Sequence, residues 1–282
     1  MKLILSRKGF DSSSGGVPSP ILPDGRIVSL PIPDERSTIQ YKDLDHNDLS
    51  LGSMVSQLTR HKITPEQGVH LDPDLLPDTL ERQSGWRPVF GQSRAAQAHL
   101  RNQGVSAGDL FIFFGLFRQV EEYNGVFNWD KGAAPLHVIW GWLQVESIVP
   151  IESVTAPEYR WAHYHPHCQH LQDKNNVLYL ARDRLNINGV ATELPGAGVF
   201  PRFDAKRQLT ARDGSNVSLW ELPRWCYPRR RCIPFSHHSD RARWQRQKHR
   251  TLLRSVARGQ EFVLDAQQYP EALLWVQDML CN

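Results

Sequence analysis

The sequence has few cysteines and no long apolar run, and both absences limit what the protein can be. Its four cysteines are widely scattered along 282 residues, at Cys168, Cys226, Cys232 and Cys281, which argues against a disulfide framework. No apolar stretch approaches the roughly 18–20 residues that cross a bilayer, and the amino-terminal one is too short for a secretory signal. We therefore expect a cytoplasmic protein with no membrane partner.

The motifs of several enzyme classes are also missing. No Gly-Lys-Ser/Thr follows a glycine-rich loop with the spacing of a P-loop, and no Gly-x-Ser-x-Gly nucleophile elbow occurs. No cysteine has the sequence context of a catalytic thiol, and no nuclease motif is recognisable. With 40% hydrophobic and 22% charged residues, the chain has the make-up of an ordinary globular protein.

Residues 3–16 combine a short apolar strand with a loop rich in charge, hydroxyl groups and glycine. Arg7 and Lys8 can neutralise an anion, and glycines such as Gly9 let backbone N–H groups approach a ligand closely. The hydroxyl-bearing Ser12 completes the candidate phosphate-binding set. This combination predicts a binding site for phosphate, and hence for a nucleotide or a nucleic acid. The alternative is a flexible hairpin loop.

Positive charge is concentrated near the carboxyl end. Residues 224–250 hold nine Lys or Arg and one acidic residue, a segment charge of +8, so the rest of the chain carries −5. Aromatic side chains that can stack on bases alternate with these cations, which predicts contact with nucleic acid. The alternative is a solvated surface that its aromatic residues anchor. The residues concerned are Arg224, Trp225, Tyr227, Arg229, Arg230 and Arg231.

Hydrophobic patterning predicts an α+β fold with a mixed or mostly antiparallel sheet. Strands are expected from Gly108 to Val120, over 137–145, where the second pairs with the first, and over 177–181. Helices are expected near 50–60, 94–103, 240–258 and 270–280. We expect a single domain over 1–282, with the basic segment 224–258 as an appendage.

Several motifs together resemble the nucleotide modification-associated domain family 3. The resemblance covers most of residues 1–225, and it is carried by 6–11, 16–21, 24–26, 30–33, 70–75, 108–111 and 140–144. It implies an association with nucleotide or nucleic-acid modification and with phage conflict, but it implies no particular reaction. A weaker resemblance links the Gly108-Asp109 strand and Trp140-Gly141-Trp142 to PUA-like barrels, including the EVE and ASCH families. That resemblance implies an aromatic pocket for a modified base or RNA.

Two groups of polar residues are candidates for chemistry. His70, Asp72 and Asp74 can transfer protons or hold a divalent cation such as Mg²⁺, although Asp-Pro-Asp is also ordinary loop and capping sequence. Imidazoles and a thiol cluster at His163, His165, His167, Cys168 and His170. Their spacing matches no common zinc module, so a polar loop is the preferred interpretation and zinc the weaker one.

The leading hypothesis is an enzyme that modifies a nucleotide or a base in nucleic acid, in a phage-related or defence setting. Glycosyl or ADP-ribosyl transfer suits a phosphate loop beside carboxylates. The competing hypothesis is a non-catalytic reader that holds a modified base against Trp140 and Trp142, whose default role is core packing. Cofactor and protein partners stay open. The remaining assignments are Asp11 with His70, Asp72 and Asp74 as catalytic residues, and Gln92, Trp140, Trp142, His165 and His167 as substrate contacts.

Overall fold

A computed structural model describes residues 1–46, 49–169, 173–212, 216–230, 232–257 and 259–281, with no side-chain detail for residue 281. In this part of the chain the strands are β1 (Lys2–Arg7), β2 (Ser19–Ile21), β3 (Asp45–His46), β4 (Leu49–Ser50), β5 (Val89–Gln92), β6 (Leu110–Tyr123), β7 (Val126–Trp129), β8 (Leu136–Pro150), β9 (Val177–Ala181), β10 (Arg184–Ile187), β11 (Val190–Pro195), β12 (Ala197–Val199), β13 (Leu219–Pro223), β14 (Trp244–Arg246), β15 (Arg250–Arg254) and β16 (Glu261–Asp265).

The α-helices of the described residues are α1 (Leu51–Leu58), α2 (Arg94–Asn102) and α3 (Glu271–Cys281). Helix α1 begins where the Ser50 hydroxyl accepts a hydrogen bond from the Ser53 N–H, which is a common amino-terminal cap. Short 3-10 helices cover Tyr41–Asp43, Pro77–Thr79, Ile151–Thr155, Pro157–Ala162, Pro166–Gln169, Ala205–Arg207, Arg224–Cys226 and Arg241–Arg243.

The strands form one large mixed sheet and three small antiparallel ones. The main sheet runs β16-β1-β6-β8-β9-β5; β12 also pairs with β8, and β2 and β7 also pair with β6. Strand β1 is parallel to β6, and the long β6–β8 pair is antiparallel. The α+β prediction is therefore confirmed, including the predicted pairing of the two long strands. Among the described strands the main sheet does not close, because β16 and β5 stand at opposite ends, so the PUA-like barrel is not supported.

The predicted helices near 50–60, 94–103 and 270–280 are present, whereas the helix predicted over 240–258 is wrong. Its described residues form a 3-10 turn and strands β14 and β15 instead. Strand β15 lies between β13 and β14, and Trp244 stands opposite Leu253, with both side chains buried. Pairing on both sides outweighs the helix propensity of the basic residues. The division into one domain with an appendage stays a prediction.

The hydrophobic core lies against the main sheet and leaves one end of it for the polar site. Phe90 on β5, Phe111 and Phe113 on β6 and Tyr179 on β9 pack ring to ring on one face of the sheet, each with 1% or less of its surface exposed. Strand β1 ends at Arg7, directly before the polar loop, and β5 reaches the same region at Gln92. No helix among the described residues is both long and apolar enough to span a membrane.

Candidate active site

A polar cleft of about 850 Å³ opens where β1 and β5 end. It brings together two groups of residues that the sequence analysis treated separately, the amino-terminal loop and the imidazole–carboxylate group. Predicted site residues that line it are Arg7, Lys8, Gly9, Asp11, His70, Asp72, Gln92 and His167. The cleft is the candidate active site because cations and proton-transfer groups share one solvent-accessible space.

Asp72 lies among three imidazoles, of which His70 and His167 line the cleft and His165 is buried behind it. Its side chain is 5% exposed, and its Oδ1 atom accepts a hydrogen bond of 2.7 Å from the Gly91 backbone N–H. The Nε2 atom of His165 lies 3.4 Å from the same oxygen. The other oxygen, Oδ2, lies 3.8 Å from Nε2 of His70 and 3.6 Å from Nε2 of His167. We refer to Asp72 and these three histidines as the Asp72 cluster.

The hydrogen bonds of two imidazoles define their tautomers. Nδ1 of His70 lies 3.1 Å from Oδ2 of Asp34, and a carboxylate accepts, so this nitrogen carries the proton. Nδ1 of His167 lies 2.6 Å from Oδ1 of Asn176, whose amide nitrogen donates to the His167 carbonyl oxygen at 2.8 Å. That second bond orients the amide, so Nδ1 of His167 is also the donor. In both rings Nε2 is therefore the nitrogen that faces Asp72.

These contacts shift the pKa values of Asp72, Asp34 and His70 and so determine which groups are ionised. Burial by itself would raise the pKa of Asp72, but the imidazoles of His165 and His167 outweigh it and hold that pKa far below its ordinary value. Burial would likewise raise the pKa of Asp34, and the hydrogen bonds from His70 and Arg36 lower it. Burial lowers the pKa of His70, which favours its neutral form. Two ionised carboxylates therefore flank a neutral imidazole at neutral pH.

Gly91 on β5 makes the close packing of the cluster possible. A Cβ atom at this position would lie 2.4 Å from Cδ2 of the His167 ring, a distance that real Cβ atoms essentially never show. The glycine therefore lets the imidazole lie against the strand while its own N–H holds Asp72. The sequence contains no local signal for this role, because the contact joins β5 to a 3-10 helix more than 70 residues later.

Replacing Gly91 with Ala is expected to displace His167 and to destabilise the fold by about 1–3 kcal/mol, the usual range for overpacking. The measurement is urea unfolding together with the imidazole NMR signals of His167. Gly132→Ala is the matched control, because the nearest atom to a Cβ there is the Asp130 carboxylate at 3.4 Å. Equal stability of the two variants with an unshifted His167 signal would contradict this account.

Lys8 and Gln92, which line the cleft, share a buried partner that no local sequence motif indicates. Oε1 of Glu261 accepts from the Lys8 ammonium at 2.9 Å and from the Gln92 amide at 2.6 Å. Glu261 is 1% exposed, and the Lys8 ammonium also lies 4.7 Å from the centre of the Phe90 ring. The charge of Lys8 is therefore compensated inside the protein, and its predicted contact with phosphate stays a prediction.

Some residues of the amino-terminal loop face the cleft, and others form hydrogen bonds within the loop. Arg7 lines the cleft and donates to the carbonyl oxygen of Ala257 at 3.1 Å, and it forms no ion pair with the residues that the structure describes. Oδ1 of Asp11 accepts from the backbone N–H groups of Ser13 and Ser14, so this carboxylate holds the turn. Ser12 is exposed and does not line the cleft. Gly9 lines it with a φ of +91°, a conformation that favours glycine.

Asp74 lies apart from the Asp72 cluster although only two residues separate them. Its two oxygens accept a bidentate pair of hydrogen bonds from Arg82, at 2.6 and 2.7 Å, and a further one from the Tyr164 hydroxyl. Asp74 is 1% exposed and bridges to Val89 by backbone hydrogen bonds. These contacts give it a structural role in the loop before β5, and they do not bring it to the cleft.

Both tryptophans of β8 are buried in the core. Trp142 is 6% exposed, donates from Nε1 to the Pro195 carbonyl oxygen at 3.0 Å and packs against Phe200. Trp140 is 5% exposed, stacks on Phe113 with ring centres 5.6 Å apart and lines a smaller cavity of about 60 Å³, which shares Gly9 and Asp72 with the cleft. A β-bulge opposite Phe113 and Phe114 places Trp140 out of the regular pairing. Neither ring lines the cleft.

The side chains of the histidine-rich segment 163–170 do not form one cluster in the described residues. Only His165 and His167 of its described residues point to Asp72. The His163 ring contacts the Val154 carbonyl oxygen at 2.9 Å, and the Cys168 thiol donates to a carbonyl oxygen at 3.2 Å. Burial raises the pKa of the Cys168 thiol to about 12, which disfavours a thiolate ligand. His170 lies outside the described residues.

The basic segment is packed against helix α3, away from the cleft. Trp225 contacts the rings of Tyr269 and Trp275, as expected for a residue that anchors the segment. Arg229 forms a bidentate ion pair with Glu271, at 2.7 and 2.8 Å. Its charge is therefore compensated by α3.

The remaining cations of this segment reach the surface. Arg224 and Arg230 are exposed, and the guanidinium of Arg246 lies 5.9 Å from the centre of the Tyr227 ring. Arg231 lies outside the described residues. None of the described residues of 224–230 lines the cleft, so contact with nucleic acid there stays a prediction about a second surface.

The structure adds partners that no local motif indicates. Asp34 and Asn176 orient the two imidazoles, and Glu261 joins Lys8 to Gln92. Each of these residues is far in sequence from the group it holds; Lys8 and Glu261, for example, are 253 positions apart. What distinguishes these three polar residues is their burial, and the sequence does not show burial because it depends on the tertiary fold.

Comparison with known proteins gives one finding. A family model described as nucleotide modification associated domain 3 matches residues 2–265. Neither a curated protein nor a solved structure matches the chain. The matched range includes the amino-terminal loop, the whole Asp72 cluster and strand β16, which carries Glu261.

Proposed function

The chain belongs to the nucleotide modification associated domain 3 family, and on this premise we propose that it is an enzyme that modifies a nucleotide, free or within nucleic acid, in the cleft. The observation that supports the proposal is that two groups of side chains, one suited to binding phosphate and one suited to proton transfer, line the same cavity. Cations that suit phosphate line one part of it, and the Asp72 cluster lines another. Binding and proton transfer are both needed to modify a phosphate-bearing substrate.

Arginines at the cleft suit the phosphate of an anionic substrate, although the carboxylates of Asp11, Asp72 and Asp173 also line it. Arg7, Arg36 and Arg94 all line it, and Arg7 and Arg94 form no ion pair in the described part of the chain. An arginine side chain presents a fork of N–H groups that matches phosphate oxygens. The phosphate of the substrate therefore lies near these side chains, which leaves its sugar or base towards Asp72.

Group transfer is the reaction class that this arrangement suits. In a glycosyl or ADP-ribosyl transfer, the acceptor atom loses a proton as its bond to the sugar forms and the bond to the leaving group breaks. An imidazole of the Asp72 cluster accepts that proton while the ionised Asp72 stabilises the positive charge that forms, and the nearby arginines stabilise the negative charge of a phosphorylated leaving group. We place this activity in phage–host conflict, the setting that the family resemblance implies. The competing reader hypothesis is not favoured, because the rings of Trp140 and Trp142 are buried in the core.

The test is mass spectrometry of DNA, RNA and nucleotide pools from cells with and without the protein, before and after phage infection. We expect a new or missing modified nucleoside that depends on the protein. An unchanged profile in all three pools would refute the proposed activity. Binding of modified oligonucleotides in that case would support a reader.

Replacing Arg7 or Arg94 with Gln is expected to weaken binding of a nucleoside diphosphate by roughly fivefold each, the effect of about 1 kcal/mol from an exposed charge contact. With a single-stranded oligonucleotide, each change lowers the slope of log Kd against log salt by about one. Titration calorimetry at several salt concentrations checks both. The matched control is Arg184→Gln, an exposed arginine paired with Glu193 on another hairpin. If Arg184→Gln weakened binding as much as the other two changes, Arg7 and Arg94 would have no specific role in phosphate binding.

A further inference from the structure

Three atoms with lone pairs converge at the wall of the cleft. They are Nε2 of His70, Oδ2 of Asp72 and Nε2 of His167, and one ligand atom from each residue lies within 4.8 Å of the others. None of the hydrogen bonds in the described residues reaches Oδ2 of Asp72, whereas Oδ1 accepts from Gly91. One oxygen of this carboxylate is thus held by the protein, and the other faces two nitrogens.

This convergence is the arrangement expected around a positive ion. Asp34 and Asn176 accept from Nδ1 of His70 and His167, so in each ring Nε2 is the nitrogen that faces Oδ2 of Asp72 and can bind a ligand. The separations of 3.6 and 3.8 Å are too long for hydrogen bonds. They are short enough for one shared ion, because two ligands at about 2.1 Å from a metal lie at most about 4.2 Å apart.

The surrounding contacts are those that support metal ligands in proteins. A ligating histidine usually donates its other ring N–H to a carboxylate or an amide oxygen, as His70 does to Asp34 and His167 does to Asn176. Asp72 is oriented in turn by the Gly91 N–H. His165 also orients it: Nδ1 of this ring accepts from the His167 N–H, so Nε2 carries the proton that faces Oδ1 of Asp72.

We propose that His70 Nε2, Asp72 Oδ2 and His167 Nε2 bind one first-row transition-metal dication, with its remaining coordination positions open to the cleft. Two imidazoles and one carboxylate suit Zn²⁺, Fe²⁺ or Mn²⁺. Mg²⁺, which the sequence suggested, prefers oxygen ligands and fits this set less well. The third ligand is His167 and not Asp74. This inference goes beyond the proposed function and does not depend on it, because metal binding is measurable without a substrate.

The experiment uses the full chain, stripped with a chelator and titrated with Zn²⁺ and Co²⁺. We expect one equivalent of either ion to bind by calorimetry, and bound Co²⁺ to show a visible d–d spectrum perturbed by imidazole ligands. Elemental analysis of protein purified without chelator, anaerobically and in air, distinguishes iron from zinc and manganese as the resident ion. The absence of stoichiometric binding by both ions would overturn the proposal.

Variants test the ligand set. Asp72→Asn and His167→Gln are expected to weaken Co²⁺ binding by at least about 100-fold, and Asp34→Asn by about 10–100-fold, the usual effect of losing a partner that orients a ligand. His249→Gln, an exposed histidine outside the cleft, is the control and should bind as the wild type does. If Asp72→Asn fails to fold by circular dichroism, His70→Gln at the cleft edge replaces it. Unchanged affinity in the folded ligand variants would overturn the assignment.

Discussion

Cells that produce the Asp72→Asn variant are expected to show the nucleoside profile of cells without the protein. The carboxylate and the amide have nearly the same shape, so the amide oxygen can still accept from Gly91. The negative charge that stabilises a protonated imidazole of the cluster is lost, however. Loss of that charge reduces turnover by about 10²–10⁴-fold, enough to remove a modification from the detectable range.

The measurement is the amount of modified nucleoside per unit of variant protein, by mass spectrometry. Asp183→Asn is the matched control, because it makes the same chemical change at a carboxylate that is 94% exposed and outside the cleft. The control should modify as the wild type does. An Asp72→Asn variant with undiminished product would refute the catalytic role of Asp72.

Binding separates this loss of chemistry from loss of the substrate site. Arg7 and Arg94 are unchanged in the Asp72→Asn variant, so a nucleoside diphosphate should bind with a Kd within about threefold of the wild type. Retained binding without product indicates a residue that acts in the reaction. Simultaneous loss of binding and product, in a variant with native circular dichroism, would instead assign Asp72 to substrate binding.

Patterns within one element predicted much of the fold. Leu110–Phe114 and Val138–Val145 are apolar, aromatic and β-branched runs, and both became central strands of the main sheet. The segment 240–258 was misassigned because its cations have good helix propensity. Strand β15 within it lies between β13 and β14, and its pairing with β13, which precedes the segment, leaves no pattern within 240–258.

The site was predictable only where its residues are close in sequence. The His70-Leu71-Asp72 motif indicated two members of the Asp72 cluster, and Arg7 was indicated by its loop. The same motif also suggested Asp74, whose carboxylate turns to Arg82, because backbone pairing with Val89 places it on the other side of the loop. His167 joins the cluster from a 3-10 helix almost 100 residues away, and only the tertiary fold determines that contact.

Replacing Arg82 with Met is expected to lower the free energy of unfolding by about 3–5 kcal/mol, the range for removing one partner of a buried ion pair. Asp74 and Arg82 have side chains 1% and 12% exposed, and the guanidinium also donates to the Pro77 carbonyl oxygen. Without it the Asp74 carboxylate stays buried with only the Tyr164 hydroxyl. Urea unfolding measures the change. In the control, Arg26→Met at the exposed Asp24 pair, the loss should be about 1 kcal/mol or less.

The double variant Asp74→Leu with Arg82→Met decides why stability is lost. If the penalty of Arg82→Met arises from an uncompensated buried charge, removing that charge as well should restore part of the lost stability, because the pair itself contributes little net free energy. If it arises from lost packing of the guanidinium on Trp86, whose ring centre is 4.2 Å away, the double variant should be no more stable than Arg82→Met. We expect partial recovery, because leaving the buried Asp74 carboxylate unpaired costs more free energy than losing the packing on Trp86.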